Sequence, residues 1–223
     1  KSDYGHDAFL LEVDVMENVI RGFLETAHGI SKPCAHVPNC PCEKGEPNTP
    51  LVATRNSIYD GRRIDYETIL RLVEPNSRVL DIGCGSGALL CRLMRQKNVD
   101  GVGMELDQAN AVSCVQCGVS VIQADIDNGL AHFADGSFDY VILSMTLQVI
   151  EKPALVIREM LRVGRKCIIS FPNFGFWKVR AKLLLLGRAP LTRNLPYAWH
   201  MSPNRHSLSI KDFRAFCEES GAA

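Results

Sequence analysis

Residues 57–223 predict an α/β fold: a parallel sheet with helices on both faces. Three observations point to it. Strand-like apolar runs alternate with helix-like ones. The first such run leads directly into a glycine-rich turn and then a helix. Acidic residues sit at or just past the ends of the first three runs. In chain order, a helix over 66–73 stops before the pair Glu74-Pro75, because a residue preceding proline is pushed out of helical geometry. Strands follow at 78–82, 101–106, 120–124, 140–144 and 167–171, interleaved with helices at 88–96, 108–116, 153–161 and 176–186. A last helix covers 212–219. In such sheets a ligand sits beyond the carboxyl ends of the strands.

Two segments precede this domain. Over residues 1–29 the apolar positions Phe9, Leu10, Val13, Met16, Val19, Ile20, Phe23 and Leu24 follow helical spacing, which predicts an amphipathic helix ending at Gly29. Residues 30–56 hold five prolines and show no periodicity, so they read as a linker. The linker contains Cys34, His36, Cys40 and Cys42, whose spacing matches no common zinc site; no metal is expected.

Composition narrows the function classes. Formal net charge is zero, which argues against a nucleic-acid partner. Nine cysteines without disulfide-like spacing fit a reducing, cytoplasmic setting. No run approaches the roughly 18 apolar residues of a membrane span, and no secretory signal is visible. The charge is unevenly spread. Residues 1–60 carry nine acids against five bases, whereas residues 160–211 carry ten bases and no acid.

The glycine-rich turn reads VLDIGCGSGALL, with Gly83, Gly85 and Gly87 permitting a tight turn and close approach of a ligand to the backbone. Its spacing also satisfies a loose dinucleotide fingerprint. Asp81 argues against that reading, because a carboxylate two residues before the first glycine repels a pyrophosphate at the helix N-terminus. It suits instead a ligand with an ammonium group and no phosphate, such as S-adenosylmethionine. Glu105 is then placed for the ribose hydroxyls and Asp125 for the adenine amine, with Met104 and Leu106 against the adenine faces.

These residues resemble the class I S-adenosylmethionine-dependent methyltransferases, which have a Rossmann-like fold. The segments RVLDIGCGSGALL, ADIDNGL, SFDYVILSMTLQVIEKP, REMLRVGRKCIISFPNFGFWKVR and LPYAWHMSPNRHSLSIKDF are similar, more closely, to the methionine-biosynthesis MetW family, over about residues 64–221. The opening YGHDAFLLE resembles the C-terminal end of homoserine O-acetyltransferase, an α/β-hydrolase whose triad runs Ser, Asp, His along the chain. The two resemblances together imply a stretch of a fused protein: an acetyltransferase tail over 1–29, the linker, and a MetW-like domain over 57–223. His6 matches the catalytic histidine of the acetyltransferase and has its role only in the intact enzyme, since no Gly-x-Ser-x-Gly occurs in this chain. The resemblance also implies an antiparallel strand pair after the fifth strand. None is visible, which predicts a shortened sheet with a bare edge.

The place after the fourth strand of the main domain reads LSMTLQ, which lacks the polar-Pro-Pro-aromatic pattern of base-amine methylation. Candidates for chemistry on a small molecule are Ser144, Thr146, Gln148, Tyr197, His200 and His206, with either histidine as a general base. Cys84 reads as a small filler of the turn. Two functions follow. The first is an S-adenosylmethionine-binding module that regulates or supports homoserine acylation through the acetyltransferase portion. The second is a methyltransferase acting on a small molecule. An NAD-dependent oxidoreductase is disfavoured by Asp81.

Overall fold

The computed structural model describes residues 64–189, 191, 192, 195 and 197–220, together with the backbone of residues 8–14. Its strands are β1 (Ala8–Asp14), β2 (Arg78–Ile82), β3 (Asp100–Glu105), β4 (Ser120–Gln123), β5 (Phe138–Ser144) and β6 (Gly164–Pro172). Its helices are α1 (Ile64–Leu72), α2 (Ala88–Lys97), α3 (Gln108–Gln116), α4 (Pro153–Val163), α5 (Trp177–Leu186) and α6 (Ile210–Glu219). They build one six-stranded sheet in the order β1-β6-β5-β2-β3-β4. All neighbours from β4 to β6 are parallel, and β1 runs antiparallel to β6.

Alternation along the central strands divides the core between the two faces. Leu80, Ile82, Val141, Leu143, Ile169 and Phe171 point to one side, where they meet Val156 and Met160 of α4 and Phe213 of α6. Val79, Tyr140, Ile142 and Ile168 point to the other, against Ile69 of α1 and Leu89, Leu90 and Leu93 of α2. Helix boundaries follow local chemistry. Pro153 opens α4 at a position where no backbone N–H is needed. Asp107 caps α3 by accepting from the Asn110 N–H at 2.9 Å. Ser209 and Asp212 form a reciprocal capping box at the start of α6.

The sheet order reverses between β2 and β5, the switch point beyond whose carboxyl ends such sheets hold their ligands. The loop entering β5 is pinned by one side chain. Arg162 of α4 donates to the Leu130 and Phe133 carbonyls at 3.0 Å each, and also to Asp135 and Glu159.

Residues 8–14 correct the sequence-based expectation. They form a strand, registered from Ala8 opposite Pro172 to Asp14 opposite Lys166, and not the first turns of an amphipathic helix. Short apolar runs satisfy both helical and strand spacing, and the open hydrogen-bonding edge of β6 decides between them. The edge expected to be bare is therefore paired. Among the described residues no strand follows β6. His6, the rest of the 1–29 segment, and the linker with Cys34, His36, Cys40 and Cys42 lie outside the described residues. Among the described residues, no helix is long and apolar enough to cross a membrane.

The Arg162 cluster gives a stability test. Its hydrogen bond to Glu159 is the first cause that lowers the Glu159 carboxyl below its ordinary value of 4.5. A depressed carboxyl stabilises the fold above that ordinary value and loses its contribution as pH falls through the lower folded one. Arg162→Ala should cost about 2 kcal/mol in urea unfolding at pH 7. The penalty should shrink on acidification below the ordinary glutamate range, as measured by midpoints across a pH series.

Candidate functional site

The glycine turn follows the innermost strand. Asp81, the penultimate residue of β2, is 2 % exposed and lies on the α1–α2 face of the sheet. The turn is gripped by the next strand. The N–H groups of Gly83 and Cys84 both donate to the Met104 carbonyl, at 2.8 and 3.1 Å. Glu105, the last residue of β3, accepts the Gly85 N–H through Oε2 at 2.7 Å and the Asp107 N–H through Oε1 at 2.9 Å. One carboxylate thus holds the turn and orients the start of α3. Each of its oxygens keeps a second lone-pair direction for a ligand hydroxyl.

Gly83 and Gly85 have φ of +68° and +56°, left-handed values that disfavour a side chain. They differ in what surrounds them. A Cβ at Gly83 would lie 2.8 Å from both Cγ2 and Oγ1 of Thr146, whereas a Cβ at Gly85 would meet nothing within 4 Å. The backbone at Gly85 therefore fronts open space, as a cradle for a ligand requires. Gly87, the third glycine, is the left-handed N-cap residue of α2. Asp125 stands two residues beyond β4, where Oδ1 accepts the Asp127 N–H at 2.9 Å and caps a short 3-10 turn. Asp81, Glu105 and Asp125 thus fall at the carboxyl ends of three adjacent strands, β2, β3 and β4.

Leu106 is 63 % exposed beside Glu105. Met104 is a correction. It is 1 % exposed and packed in the core, which leaves none of its side chain open to a ligand. Cys84 is buried, with its Sγ 3.7 Å from that of Cys114. That hydrogen bond first, then burial, then the Asp81 carboxylate push its thiol far above the ordinary range. It stays protonated and fills space, as its sequence context indicates.

The opposite wall is the turn after β5. Met145 adopts φ +56°, Thr146 rests on Gly83, and the buried Gln148 donates from Nε2 to the Met145 carbonyl at 2.7 Å. His206 is joined to this wall. The N–H groups of Arg205 and His206 donate to the Gln148 carbonyl, and His206 Nε2 lies 2.9 Å from the Ile150 carbonyl. A carbonyl only accepts, so Nε2 carries the proton and Nδ1 is the basic nitrogen of the neutral ring. His200 stands exposed, its ring edge-on to Trp199. Tyr197 is half-buried in the same segment.

Two residues here carry no signal in the sequence, Asp65 and Ser170. Asp65 of α1 is 5 % exposed, and its Oδ2 accepts the Ser144 hydroxyl at 2.5 Å and the Ser170 hydroxyl at 3.2 Å. The partners are 79 and 105 residues away in sequence, so no spacing rule links them. Among the described residues, no group of three or more His, Cys, Asp or Glu is placed to hold a metal ion.

A central parallel sheet, a glycine turn after its middle strand, and carboxylates at the ends of three adjacent strands define the fold of the class I S-adenosylmethionine-dependent methyltransferases. Solved structures share that fold. A methyltransferase from Archaeoglobus fulgidus superposes with TM-score 0.55 and 17% identity, over 73% of this chain and 70% of its own. A possible histamine N-methyltransferase from Thermotoga maritima gives 0.51 and 18%, over 70% and 69%. The profile of the methionine biosynthesis protein MetW family matches residues 63–223. The chain belongs to that family.

The chain is also 35% identical over 221 residues to the bifunctional methionine biosynthesis protein MetXA/MetW of Rhodopirellula baltica, covering 94% of this chain and 32% of that protein. A ubiquinone biosynthesis O-methyltransferase of Xanthomonas axonopodis is 31% identical over 147 residues, 62% of this chain and 59% of the relative. The chain therefore spans about a third of the bifunctional protein and under two thirds of the O-methyltransferase.

Because Glu105 satisfies two backbone donors, Glu105→Ala should leave both without their acceptor. The expected cost is about 2 kcal/mol. Faster amide exchange at Gly85 and Asp107 than elsewhere in the sheet, followed by NMR, checks that the loss is local.

Proposed function

We propose that the cleft binds S-adenosylmethionine and that the chain acts in methionine biosynthesis as a cofactor-binding module attached to homoserine acylation. The observation that carries the reading is the open cradle at Gly85, flanked by Asp81, Glu105 and Asp125 on successive strand ends. Asp81 would take the ammonium group of the methionyl end, Glu105 the ribose hydroxyls and Asp125 the adenine amine. Bound there, the cofactor supplies an electrophilic methyl group on a cationic sulfur. The Asp81 carboxylate beside the turn also separates this cleft from a pyrophosphate site, since like charges there would repel.

The acyltransferase association is supported by the two-part relative, named MetXA/MetW, and by the resemblance of YGHDAFLLE to an acetyltransferase end. On this reading His6 completes the triad of the intact acetyltransferase. The cofactor is a downstream product of methionine synthesis, so its binding reports pathway output to the acylation step. Charge complementarity supplies the contact. Lys178 and Arg180 are exposed on α5, whereas the acetyltransferase-like tail carries Asp3, Asp7 and Glu17 outside β1, besides Glu12 and Asp14 on that strand. The reading requires no nucleic acid and no membrane, and places the chain in the cytoplasm.

A second reading, methyl transfer to a small molecule, is favoured by His206. The ring is fixed through Nε2 on the wall facing the glycine turn, which leaves Nδ1 to accept a proton from an acceptor hydroxyl or amine. His200 is the lesser candidate because no such anchor holds it among the described residues. Turnover separates the two readings, since a sensor returns the cofactor unchanged whereas a transferase converts it to S-adenosylhomocysteine.

The first test is thermal unfolding with and without S-adenosylmethionine. Ligand at about 100-fold over its dissociation constant should stabilise the fold by about 2.7 kcal/mol. For a domain of this size that is a rise of roughly 5–10 °C. The rise should vanish in Asp81→Ala, and a cooperative transition without any rise in the unmodified chain would remove the cofactor assignment.

For the partner, Lys178→Glu combined with Arg180→Glu should weaken association of the separately produced acyltransferase half by about tenfold at low salt. Affinity of the unmodified chain should fall as ionic strength rises. Binding indifferent to both would exclude α5 as the contact.

A further inference from the structure

We propose that Asp65 is a positioning residue of the cofactor cleft. Through Ser144, Ser170 and the left-handed turn at Met145, its buried carboxylate seats Thr146 against Gly83. This rests on the reading of the cleft as an S-adenosylmethionine site. Asp65 belongs to none of the motifs that define the cleft.

Ser144 ends β5 and Ser170 lies opposite it on β6. Each hydroxyl has one proton, and both oxygens lie within hydrogen-bond distance of the same oxygen of Asp65, Oδ2. Ser144 donates to Asp65, whereas the Ser170 proton has two acceptors in reach, Asp65 Oδ2 and, at 3.4 Å, the Ser144 oxygen, so it points toward the Asp65–Ser144 pair. The Ser170 oxygen is then turned to accept, and it receives the Met145 N–H at 3.0 Å. The same N–H also reaches the Ser170 carbonyl at 2.9 Å. On the far side of the residue, Gln148 Nε2 donates to the Met145 carbonyl at 2.7 Å.

Both peptide groups flanking the Met145 Cα are therefore held, which is how a left-handed non-glycine residue persists. The next residue is Thr146. Its hydroxyl donates to the Ser144 carbonyl at 3.0 Å, and its side chain fills the volume a Cβ on Gly83 would need. Any drift of the turn at Met145 moves Thr146 against or away from the first glycine. The chain of contacts runs from α1 through two strand ends to the part of the cleft assigned to the methionyl end of the cofactor. It does not pass through Glu105 or Asp125, which face the adenosine end.

That asymmetry provides a readout that a merely structural role would not move. Titration calorimetry at a temperature well below unfolding would compare S-adenosylmethionine with adenosine on the unmodified chain, Asp65→Asn and Ser170→Ala. The asparagine keeps the shape but replaces the shared carboxylate acceptor with a neutral amide oxygen, which accepts more weakly. Asp65→Asn should weaken S-adenosylmethionine about tenfold and Ser170→Ala about threefold, with adenosine changed by less than about twofold. Folded variants that bind S-adenosylmethionine as the unmodified chain does would overturn the proposal. So would equal losses for both ligands, which mark general loosening. If Asp65→Asn does not fold, Ser170→Ala decides alone. An unmodified chain that binds neither compound would refute the cofactor reading itself, and the proposal with it. One that binds both while the variants behave like it refutes the proposal only.

Discussion

The carboxylate of Glu105 is the interaction on which the cleft depends. A glycine-rich turn has little intrinsic preference for one conformation, because residues without a side chain lose the most freedom on folding. Here the neighbouring strand imposes the conformation. The Met104 carbonyl takes two of the turn's N–H groups, and the Glu105 carboxylate takes that of Gly85 while also holding the start of α3. The parallel register of β2 and β3 brings Ile82 opposite Met104, so the end of one strand becomes the template for the turn leaving the other. On the proposed reading the same carboxylate also receives the ribose, which makes turn geometry and ligand recognition one electrostatic feature.

Close packing of the turn against its two walls follows from this placement. Thr146 lies where a side chain on Gly83 would lie, and a Cβ at Gly103 of β3 would come 2.6 Å from the Cys84 Sγ. The glycines of the turn and of the strand beside it therefore have different causes. Gly83 and Gly85 combine a left-handed backbone with proximity to a wall or to open space, whereas Gly103 makes room for Cys84. The buried thiols act as packing of the right volume. The far-raised Cys84 keeps an additional negative charge away from Asp81 and Glu105.

Much of this was legible in the sequence, for identifiable reasons. Strand and helix at 78–82 and 108–116 have the same limits in the structure, because a buried central strand and a capped helix are both specified locally. The carboxylates could be placed at strand ends because strand length and the glycine turn fix where the ends fall. Three features were not legible. Residues 8–14 satisfy two periodicities, and only the free edge of β6 settles which is used. Met104 is one residue from Glu105, yet the pleat sends it into the core, an effect of register that composition does not show. Asp65 gains its meaning only when β5 and β6 lie side by side, since both of its serine partners come from distant sequence.

The segment from β6 to α6 concentrates features the sheet does not need. Residues 173–209 contain six bases and no acid, and they expose Trp177, Leu183, Leu184, Leu185, Leu186 and Trp199. Its two ends are tied to each other, and its C-terminal part is fixed to the turn after β5. The Phe174 N–H donates to the Leu208 carbonyl, and the N–H groups of Arg205 and His206 donate to Gln148 beside Thr146. Four successive leucines, at about 100° per residue, point all round the end of α5. A flat lipid surface covers one side of a helix, so it leaves some of them in water, whereas a protein socket can enclose them all. The lack of acids disfavours a second copy of the same surface through like-charge repulsion. On the proposed reading, an acidic protein partner meets both conditions. Because the segment is anchored on the wall that faces the glycine turn, such a partner would be bound next to the cofactor cleft. Any preference of the partner for one setting of that wall must then be returned, by linkage, as an effect of the cofactor on the partner.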